Sequence, residues 1–333
     1  MKAMVIESFG GIDAFKEREM PNPALKPGHV LVQVGATSVN PLDVKVRAGG
    51  FQPITHPFPA ILHGDVAGRV SALGNGVTKF KVGDEVYGCA GGIGGYQGAL
   101  AEFMLADADL LAHKPKKLTV SQAAALPLVA ITAWEALIDR AKIKEGQKVL
   151  IHGGAGGVGH VAIQLAKWQG AKVYTTVSSD GKGALVKNLG AETIFYKKET
   201  LPDYLERCTG DKGFDMVFDT LGNATLDASM QAVAHFGQVV SILGGSTHDL
   251  TPLFKKNGTL HMVIMLAPLL SGFGRKAHGK ILEIVADLVD RGLIRPHLDE
   301  RSFTFNQVGQ SHELLESGKA VGKIVLNSPW KSE

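Results

Sequence analysis

The sequence predicts an α/β fold: a doubly wound, six-stranded parallel sheet joined to an irregular domain rich in strands. Six short apolar runs recur about 22 residues apart in the second half of the chain, with helix-period segments between them. Runs that are apolar at nearly every position are typical of strands buried on both faces of a parallel sheet. The runs begin near Val149, Lys172, Thr193, Met216, Gln238 and Leu260.

A closed (β/α)8 barrel is the alternative for a series of strand–helix units. Such a barrel needs eight units in typically about 250 residues. The pattern here stops after the unit that begins near Leu260. The open sheet is therefore favoured over the barrel.

Residues 1 to about 123 have a different pattern, with many prolines and turn signals that break long helices. Short β-branched runs predict strands at Val30–Val34, Val66–Val70 and Val82–Val86. Ser121 precedes an alanine-rich segment and is predicted to cap a helix there. We therefore expect an irregular β domain with few helices.

After about residue 267 the chain contains a glycine-rich loop, a helix and two short strands. The helix carries apolar residues from Ile281 to Val289, and the strands are expected at Ser302–Phe305 and Lys323–Leu326. We expect the two strands to return to the first domain. This predicts one domain from residues 1–123 and 267–333, a second from 124–266, and an active site in the cleft between them.

Composition excludes several classes of partner. Lys and Arg number 35 against 32 Asp and Glu, and the net charge of +3 is spread without a basic block, so neither nucleic acid nor an anionic membrane is expected. The sequence has no apolar run of about 18 residues and no secretion signal. Cys89 and Cys208 form no Cys/His cluster. This cysteine usage argues against a disulfide scaffold and suits a reducing cytoplasm.

The strongest motif is Gly154-x-Gly156-x-x-Gly159, which follows the first predicted strand and opens a helix. In that context it is the fingerprint of a dinucleotide site. Gly156 lets the backbone approach a pyrophosphate, and Gly159 lets the helix pack close to the strand. The N–H groups near Gly157 and Val158 lie at the positive end of the helix dipole.

The choice between NAD and NADP is made at the end of the second strand. An acidic residue there would bind the ribose 2′-OH and repel a 2′-phosphate. The strand instead ends at Val177 and Ser178, followed by Ser179 and, close by, Lys182. Asp180 lies beyond the tip and is expected to cap the next helix. We therefore predict NADP(H).

Four segments together resemble a known family. They are 124–137, the glycine loop, 214–222 and 322–326. They are similar to the zinc-independent, zeta-crystallin-like quinone oxidoreductases of the medium-chain dehydrogenase/reductase superfamily. The resemblance implies a GroES-like catalytic domain, a Rossmann domain, and NADPH-dependent reduction of quinones or activated C=C bonds. It also implies a homodimer or homotetramer.

The resemblance also bears on zinc. The positions that hold catalytic zinc in the alcohol dehydrogenases of the superfamily fall at Asn40, Gly64 and about Leu128. None of these is a zinc ligand, and His63 alone cannot hold the ion. We therefore expect no metal site, and hydride transfer to an acceptor that is already electrophilic.

By the same resemblance, Asn40 lies near nicotinamide and substrate, unless it only stabilises the turn before Pro41. Lys45 and Tyr96 are candidate proton donors, because the tyrosines common after this stretch in bacterial relatives are absent. Their alternatives are a surface charge and loop packing. Asp43, Asp65 and Asp219 are equally compatible with structural roles. The cofactor residues implied are Asn40, Thr132, Gly154, Gly156, Gly157, Val158, Gly159, Ser178, Ser179, Lys182, Tyr196, Leu221, Leu243, Gly244, Gly245 and Lys323.

Three functional hypotheses follow. The first is an NADPH-dependent, zinc-independent reductase of quinones or enones. The others are an alcohol dehydrogenase with a non-standard zinc site and a non-catalytic NADPH-binding protein. Loops at 49–58, 90–98 and 265–278 are expected to select the acceptor. The sixth strand, His261–Leu266, is expected to pair edge to edge in a dimer.

Overall fold

The computed structural model describes residues 1–50 and 57–330. These residues form two compact units, one from 1–128 with 266–333 and the other from 129–265. Within the described residues, no helix is both long enough and apolar enough to cross a membrane. The part of the predicted 49–58 loop that covers residues 51–56 lies outside the described residues.

The first part of the first unit consists mainly of strands. Its elements are β1 Lys2–Ile6, β2 Phe15–Glu19, β3 His29–Ser38, α1 Pro41–Arg47, β4 Ala60–Ile61, β5 Asp65–Leu73, β6 Glu85–Cys89, β7 Phe103–Asp107, β8 Leu111–His113 and α2 Val120–Ala124.

The chain then enters the second unit through α3 Pro127–Trp134 and a π-helical segment at Glu135–Arg140. Strands and helices alternate from there. They are β9 Lys148–Ile151, α4 Gly157–Trp168, β10 Lys172–Val177, α5 Asp180–Asn188, β11 Glu192–Phe195, α6 Leu201–Thr209, β12 Phe214–Asp219, α7 Ala224–Ala232, β13 Val233–Ser241, α8 Thr251–Lys255 and β14 Thr259–Met262.

The remaining residues rejoin the first unit. Their elements are α9 Ala267–Ser271, α10 Arg275–Asp290, β15 Phe303–Thr304, α11 Val308–Glu316 and β16 Val325–Asn327.

The second unit confirms the predicted doubly wound sheet. Its six strands lie in the order β11-β10-β9-β12-β13-β14, and every neighbouring pair is parallel. The strand order reverses between β9 and β12, so this is the topological switch point of the sheet. Val149, Leu150 and Ile151 are all 0% exposed, as expected for a strand covered on both faces.

In the first unit, β3 is the central strand. It pairs antiparallel with β5, β7 and β16. The register of the last pair sets Val325 opposite Ser38. The end of the chain therefore lies beside the segment that leads into α1, and this register brings Lys323 to Asn40.

Four local predictions were wrong in detail. Val82 lies in a turn and is 62% exposed, because Gly83 has a left-handed φ of 93°, so β6 begins only at Glu85. Thr119, not Ser121, caps α2, since its side chain accepts a hydrogen bond from the N–H of Gln122. Ser179, not Asp180, caps α5. The sixth strand ends at Met262 and does not continue to residue 266.

Candidate active site

The glycine segment after β9 forms a tight turn into α4. Gly153 has a φ of 71°, and α4 begins at Gly157 with Gly156 as its N-cap. The N–H of Gly153 donates to Thr176 Oγ1 at 3.1 Å, which fixes the turn against β10. The first N–H groups of a helix have no partner within it and are available to an anion.

Two of the fingerprint glycines are required by close packing. A Cβ on Gly159 would overlap the carbonyl oxygen of Gly153, and a Cβ on Gly154 would overlap the Thr175 side chain. Gly159 therefore allows the helix to approach the strand closely, as the sequence predicted. The result is a cradle of bare backbone at a helix N-terminus, which fits the pyrophosphate of a dinucleotide.

The residues assigned to the cofactor in this unit follow the carboxyl ends of five neighbouring strands. In a parallel sheet those ends meet at one edge, where ligands bind at the switch point. The glycine loop follows β9, Ser178 and Ser179 follow β10, and Tyr196 follows β11. Leu221 follows β12, and the segment from Leu243 to Gly245 follows β13. Thr132 lies buried on α3.

The end of β10 carries polar groups suited to a phosphate. Ser179 accepts a hydrogen bond from the N–H of Lys182, so the first turn of α5 begins beside Ser178. Asp180 pairs with Lys198 at 3.6 Å, and both side chains are exposed. The negative charge of Asp180, just beyond the end of β10, thus has a positively charged neighbour.

Two further residues contribute to this edge of the sheet, and the sequence analysis missed one of them, Lys198. Lys198 follows β11, two residues after Tyr196, and its ammonium lies 5.0 Å from the centre of the Phe195 ring. Its position just after the third predicted strand could have marked it as a candidate for binding the cofactor phosphate. Asp219, for which a structural role was one of the open alternatives, accepts hydrogen bonds from the N–H of Gly222 at 2.9 Å and from Ser241 Oγ at 2.7 Å. It thereby ties together the loops after β12 and β13.

His152 stands at the start of the glycine loop. Its Nδ1 lies 3.3 Å from Thr176 Oγ1, whereas its buried Nε2 has no hydrogen-bond partner among the described residues. Burial lowers the pKa of His152 to about 4, so the ring is neutral at physiological pH. The loop therefore receives no positive charge from this side chain.

A second polar cluster, which we call the Asp65 cluster, is buried in the first unit. It consists of Ser38, Asn40, Asp43, Asp65 and Lys323, none more than 4% exposed. Asp65 accepts from Ser38 Oγ at 2.7 Å and from Asn40 Nδ2 at 2.9 Å. Its other oxygen accepts from the backbone N–H of Leu128 at 2.8 Å. The carboxylate is therefore fully engaged, as a buried charge must be.

Lys323 corrects a prediction. The resemblance implied that it contacts the 2′-phosphate, but its ammonium is 3% exposed and belongs to the Asp65 cluster. It donates to Asn40 Oδ1 at 2.5 Å and to the carbonyl of Val39 at 3.0 Å, and it lies 3.6 Å from Asp65. The antiparallel pairing of β16 with β3 places it there. A buried and fully engaged ammonium is not available to a phosphate.

Asn40 has a defined amide orientation in this cluster. Because lysine only donates, Oδ1 of Asn40 must face Lys323, and Nδ2 then faces Asp65. The side chain also stands at the N-cap of α1, and the N–H of Asn40 donates to Asp43 Oδ2 at 2.7 Å. Asn40 is therefore held in the turn into α1 through its backbone N–H, while its side chain bonds to Lys323 and Asp65.

Burial sets the charges in the Asp65 cluster. The pKa of Asp43 is raised from 3.8 to about 7, mainly by burial and also by the neighbouring Asp65, although the hydrogen bond from the Asn40 N–H opposes the shift. Burial likewise raises the pKa of the Cys89 thiol, with Asp65 adding to the effect. Burial lowers the pKa of Lys323, although Asp65 opposes that shift. The Cys89 thiol therefore stays neutral, and the Lys323 ammonium lies 3.6 Å from the Asp65 carboxylate.

The two candidate proton donors differ in setting. Lys45 is exposed on α1, in keeping with its alternative as a surface charge. Tyr96 is half-buried, and its hydroxyl accepts a hydrogen bond from Arg275 Nη2 at 2.6 Å. Tyr96 therefore has a charged partner that sequence reasoning did not identify.

The three positions aligned with zinc ligands meet at Asp65. Asn40 and Leu128 both bond to its carboxylate, and Gly64 precedes it in the chain. A Cβ on Gly64 would lie 2.9 Å from the carbonyl oxygen of Gly91, so no larger residue fits there. The described residues contain no group of three or more His, Cys, Asp or Glu side chains able to hold a metal ion.

A parallel sheet with a glycine cradle at its switch point defines the dinucleotide-binding class of α/β proteins. Comparison with known proteins refines this class. Residues 26–116 match the alcohol dehydrogenase GroES-like domain, and residues 189–326 match the family described as zinc-binding dehydrogenase.

Two curated plant proteins are similar over nearly the whole chain. The 2-methylene-furan-3-one reductase of Solanum lycopersicum is 35% identical, and the alignment covers 98% of this chain and 79% of that protein. The chloroplastic NADPH-dependent alkenal/one oxidoreductase of Arabidopsis thaliana is 34% identical with the same coverage.

Several solved structures have the same fold as this chain. An alcohol dehydrogenase superfamily protein from Novosphingobium aromaticivorans has a TM-score of 0.94 and 45% identity, covering 98% of this chain and 99% of that one. The quinone oxidoreductase from Coxiella burnetii has a TM-score of 0.84 and 32% identity, with the same coverage. A mycobacterial protein solved in complex with NADPH has a TM-score of 0.87 and 28% identity, covering 98% of this chain and 100% of that one. The chain belongs to the quinone oxidoreductase family of the medium-chain dehydrogenase/reductase superfamily.

Proposed function

We propose that this protein is an NADPH-dependent, zinc-independent reductase of quinones or of activated C=C bonds in enones and alkenals. The observation that carries the proposal is the convergence of glycine cradle, hydroxyls and lysines at the carboxyl edge of one parallel sheet. Relatives named as a quinone oxidoreductase and an NADPH-dependent alkenal/one oxidoreductase support the same activity. NADPH, when bound, supplies a hydride to the acceptor.

The second unit is assigned to the cofactor. The backbone at Gly154, Gly156 and Gly159, with the N–H groups of Gly157 and Val158, would hold the pyrophosphate. Ser178, Ser179, Lys182 and Tyr196 would hold the adenosine 2′-phosphate, and Lys198 is added to them. Thr132, Leu221 and the segment from Leu243 to Gly245 would hold the nicotinamide half.

The first unit is assigned to the acceptor. An oxygen that gains negative charge during the reduction is stabilised by a fixed donor, and the Asn40 amide is assigned that role. Tyr96 is preferred over Lys45 as the proton donor. The proposed catalytic domain consists of residues 1–123 and 267–333, and the proposed cofactor domain of 124–266.

The absence of zinc from the reaction is part of the proposal. Asn40, Gly64 and Leu128 supply neither thiolate nor imidazole at the aligned ligand positions. Elemental analysis of the purified active enzyme tests this point. Zinc in a 1:1 ratio with the protein, removed together with alcohol oxidation by a chelator, would support the alcohol dehydrogenase alternative.

Turnover tests the function directly. Purified protein mixed with NADPH and 9,10-phenanthrenequinone, 1,4-benzoquinone or an enone is expected to consume absorbance at 340 nm. Saturable NADPH binding without oxidation by any of these acceptors would instead support the non-catalytic alternative.

Lys182 is expected to give NADPH preference over NADH. One or two charge-assisted hydrogen bonds to the 2′-phosphate, at about 1.5–3 kcal/mol each, predict binding at least tenfold tighter for NADPH. Lys182→Glu should reduce that ratio, measured by fluorescence titration with both cofactors. The matched control is Lys187→Glu, on the exposed side of α5. Equal affinity of the unmodified protein for the two cofactors would contradict the assignment.

We further propose a homodimer or homotetramer and a cytoplasmic location. The apolar side chains of Met262, the last residue of the edge strand β14, and of Ile264, two residues beyond it, are 50% and 61% exposed and support association through that edge. Cys89 and Cys208 are both free and buried, in keeping with a reducing compartment. Cell fractionation with a tagged chain tests the location, since one relative is chloroplastic.

A further inference from the structure

A serine, a histidine and an aspartate of the second unit are joined by two hydrogen bonds. Nε2 of His248 lies 2.6 Å from Ser246 Oγ, and Nδ1 of the same ring lies 2.7 Å from Asp227 Oδ1. Asp227 belongs to α7, whereas Ser246 and His248 lie in the loop between β13 and α8. None of the three has a part in the proposed hydride transfer.

The carboxylate of Asp227 decides where the protons of this cluster lie. A carboxylate only accepts hydrogen bonds, so Nδ1 of His248 carries the proton that faces Asp227. A neutral imidazole then has its lone pair on Nε2, and the hydroxyl of Ser246 donates to it. The protons are therefore placed as they are in a serine nucleophile, its general base and the acidic residue that orients the base.

The exposure of the side chains suits a nucleophile and its base. Ser246 is exposed, so a substrate can reach its Oγ. The side chain of His248 is only 10% exposed, and that of Asp227 is 48% exposed. Water therefore competes little for the imidazole ring. The chain beyond the ring is also fixed, because Asp249 Oδ1 accepts from the N–H of Thr251 at 2.9 Å, where α8 begins.

Backbone donors and open space lie next to the serine. The N–H groups of Gly245, Ser246 and Thr247 donate to no acceptor within the part of the chain that the structure describes. Apart from chain neighbours, a Cβ on Gly245 would meet no atom within 4 Å, and one on Gly244 would meet only the Met262 methyl group at 4.0 Å. Free backbone donors beside a nucleophile can stabilise the oxyanion that forms when it attacks a carbonyl.

We propose that Ser246, His248 and Asp227 form a nucleophilic site that hydrolyses short carboxylic esters with a good leaving group. Ser246 Oγ forms a bond to the carbonyl carbon while its proton moves to Nε2 of His248. The bond from the carbonyl carbon to the alcohol oxygen then breaks, and the alcohol leaves with that proton.

Water completes the reaction. It attacks the acyl-serine while His248 accepts one of its protons, the bond to Ser246 Oγ breaks, and Oγ takes the proton back as the carboxylic acid leaves. The reaction consumes one ester and one water and transfers no electrons. It is therefore separate from the proposed reductase activity and uses no NADPH.

Hydrolysis of p-nitrophenyl acetate tests this activity. NADPH is left out, because the adjacent segment 243–245 is assigned to the cofactor. The unmodified protein is expected to release a burst of p-nitrophenol, followed by slower steady release. A positioned general base contributes typically about 10²–10⁴-fold, so Ser246→Ala and His248→Gln should each lower the rate at least tenfold. Asp227→Asn, which keeps the size of the side chain, should lower it as well because an amide can orient the wrong tautomer.

Two control variants measure the background from other surface groups. His235→Gln removes an exposed imidazole on β13. Ser71→Ala removes an exposed serine whose Oγ donates to the carbonyl of Leu31 and not to an imidazole. Both variants should keep the rate of the unmodified protein. Equal rates for the unmodified protein and Ser246→Ala would overturn the inference.

A covalent probe checks the nucleophile in the unmodified protein. With a fluorophosphonate, a bond forms between Ser246 Oγ and phosphorus, the P–F bond breaks, and fluoride leaves while His248 accepts the serine proton. Peptide mass spectrometry is expected to find the label on Ser246, and Asp227→Asn should slow the labelling. A protein without label at Ser246 would also overturn the inference. Neither measurement involves a quinone or an enone, so the result is independent of the proposed function.

Discussion

Lys323 and Asp65 form a buried pair of opposite charges that is completed by neutral hydrogen bonds. Such a pair adds little compared with an apolar pair, but removal of one partner leaves an isolated buried charge. Asn40 lies between the two side chains and bonds to both. The pair therefore fixes the amide that we assign to the acceptor.

Because the two charges interact, substitutions at Lys323 and Asp65 are expected to change the free energy of unfolding non-additively. Lys323→Met should lower the free energy of unfolding by about 3–5 kcal/mol, because Asp65 then stays buried without its cation. The double variant Asp65→Asn with Lys323→Met should recover part of that loss, as measured by urea unfolding of all four proteins. Additive losses in the cycle would show that the two charges do not interact.

The raised pKa of Asp43 predicts how the stability of the protein changes with pH. Burial raises its pKa from 3.8 to about 7, so between these values the folded chain holds a proton that the unfolded chain releases. The stability contributed by this group is therefore present at low pH and falls as pH rises towards 7. Asp43→Asn keeps an oxygen for the N–H of Asn40.

Thermal unfolding measures this effect. The Tm of the unmodified protein, relative to that of Asp43→Asn, is expected to fall between pH 5 and pH 8. Parallel pH profiles of the two proteins would mean that Asp43 is ionised throughout the range. Enzyme activity plays no part in this test.

At the scale of elements, the contact between β9 and α4 shapes the cofactor cradle. The helix approaches so closely that the carbonyl of Gly153 occupies the space of a side chain at Gly159. The same approach sets the helix N-terminus at the carboxyl end of the strand. The position of a phosphate group is therefore controlled by backbone packing.

Gly159→Ala tests this packing. Overpacking of this kind costs about 1–3 kcal/mol and shifts the backbone, so both stability and NADPH affinity should fall. Gly181→Ala on α5 is the control, because a Cβ there meets nothing within 4 Å. Alanine should preserve or raise stability at that helical position. Chemical unfolding and cofactor titration of both variants measure the difference.

At the scale of the whole molecule, the edge strand β14 governs association in our proposal. An exposed edge with apolar side chains is a template for pairing with another chain, and lysine on such an edge prevents it. The double variant Met262→Lys with Ile264→Lys is therefore expected to be monomeric by light scattering. Phe254→Lys, at a residue 83% exposed on α8, is the control and should keep the native state. If the unmodified protein is itself monomeric, the proposed association through β14 is wrong.

Much of this architecture follows from the sequence alone. The apolar runs and the glycine fingerprint determined the parallel sheet, its six strands and the cradle after β9. They succeed because burial on both faces of a strand and a helix packed against a strand impose local patterns on the chain. The serines and Lys182 after β10 were identified for the same reason, since strand ends are readable positions.

The contacts between distant segments were decided only by the tertiary structure. Lys323 bonds to Asn40 across 283 residues, and Arg275 bonds to Tyr96 across 179 residues. Neither contact leaves a pattern in the nearby sequence. The first depends on the pairing of β16 with β3, and the second depends on where α10 begins relative to the loop that carries Tyr96. A side chain's neighbours in a packed interior are set by the register of whole elements, which no short stretch of sequence encodes.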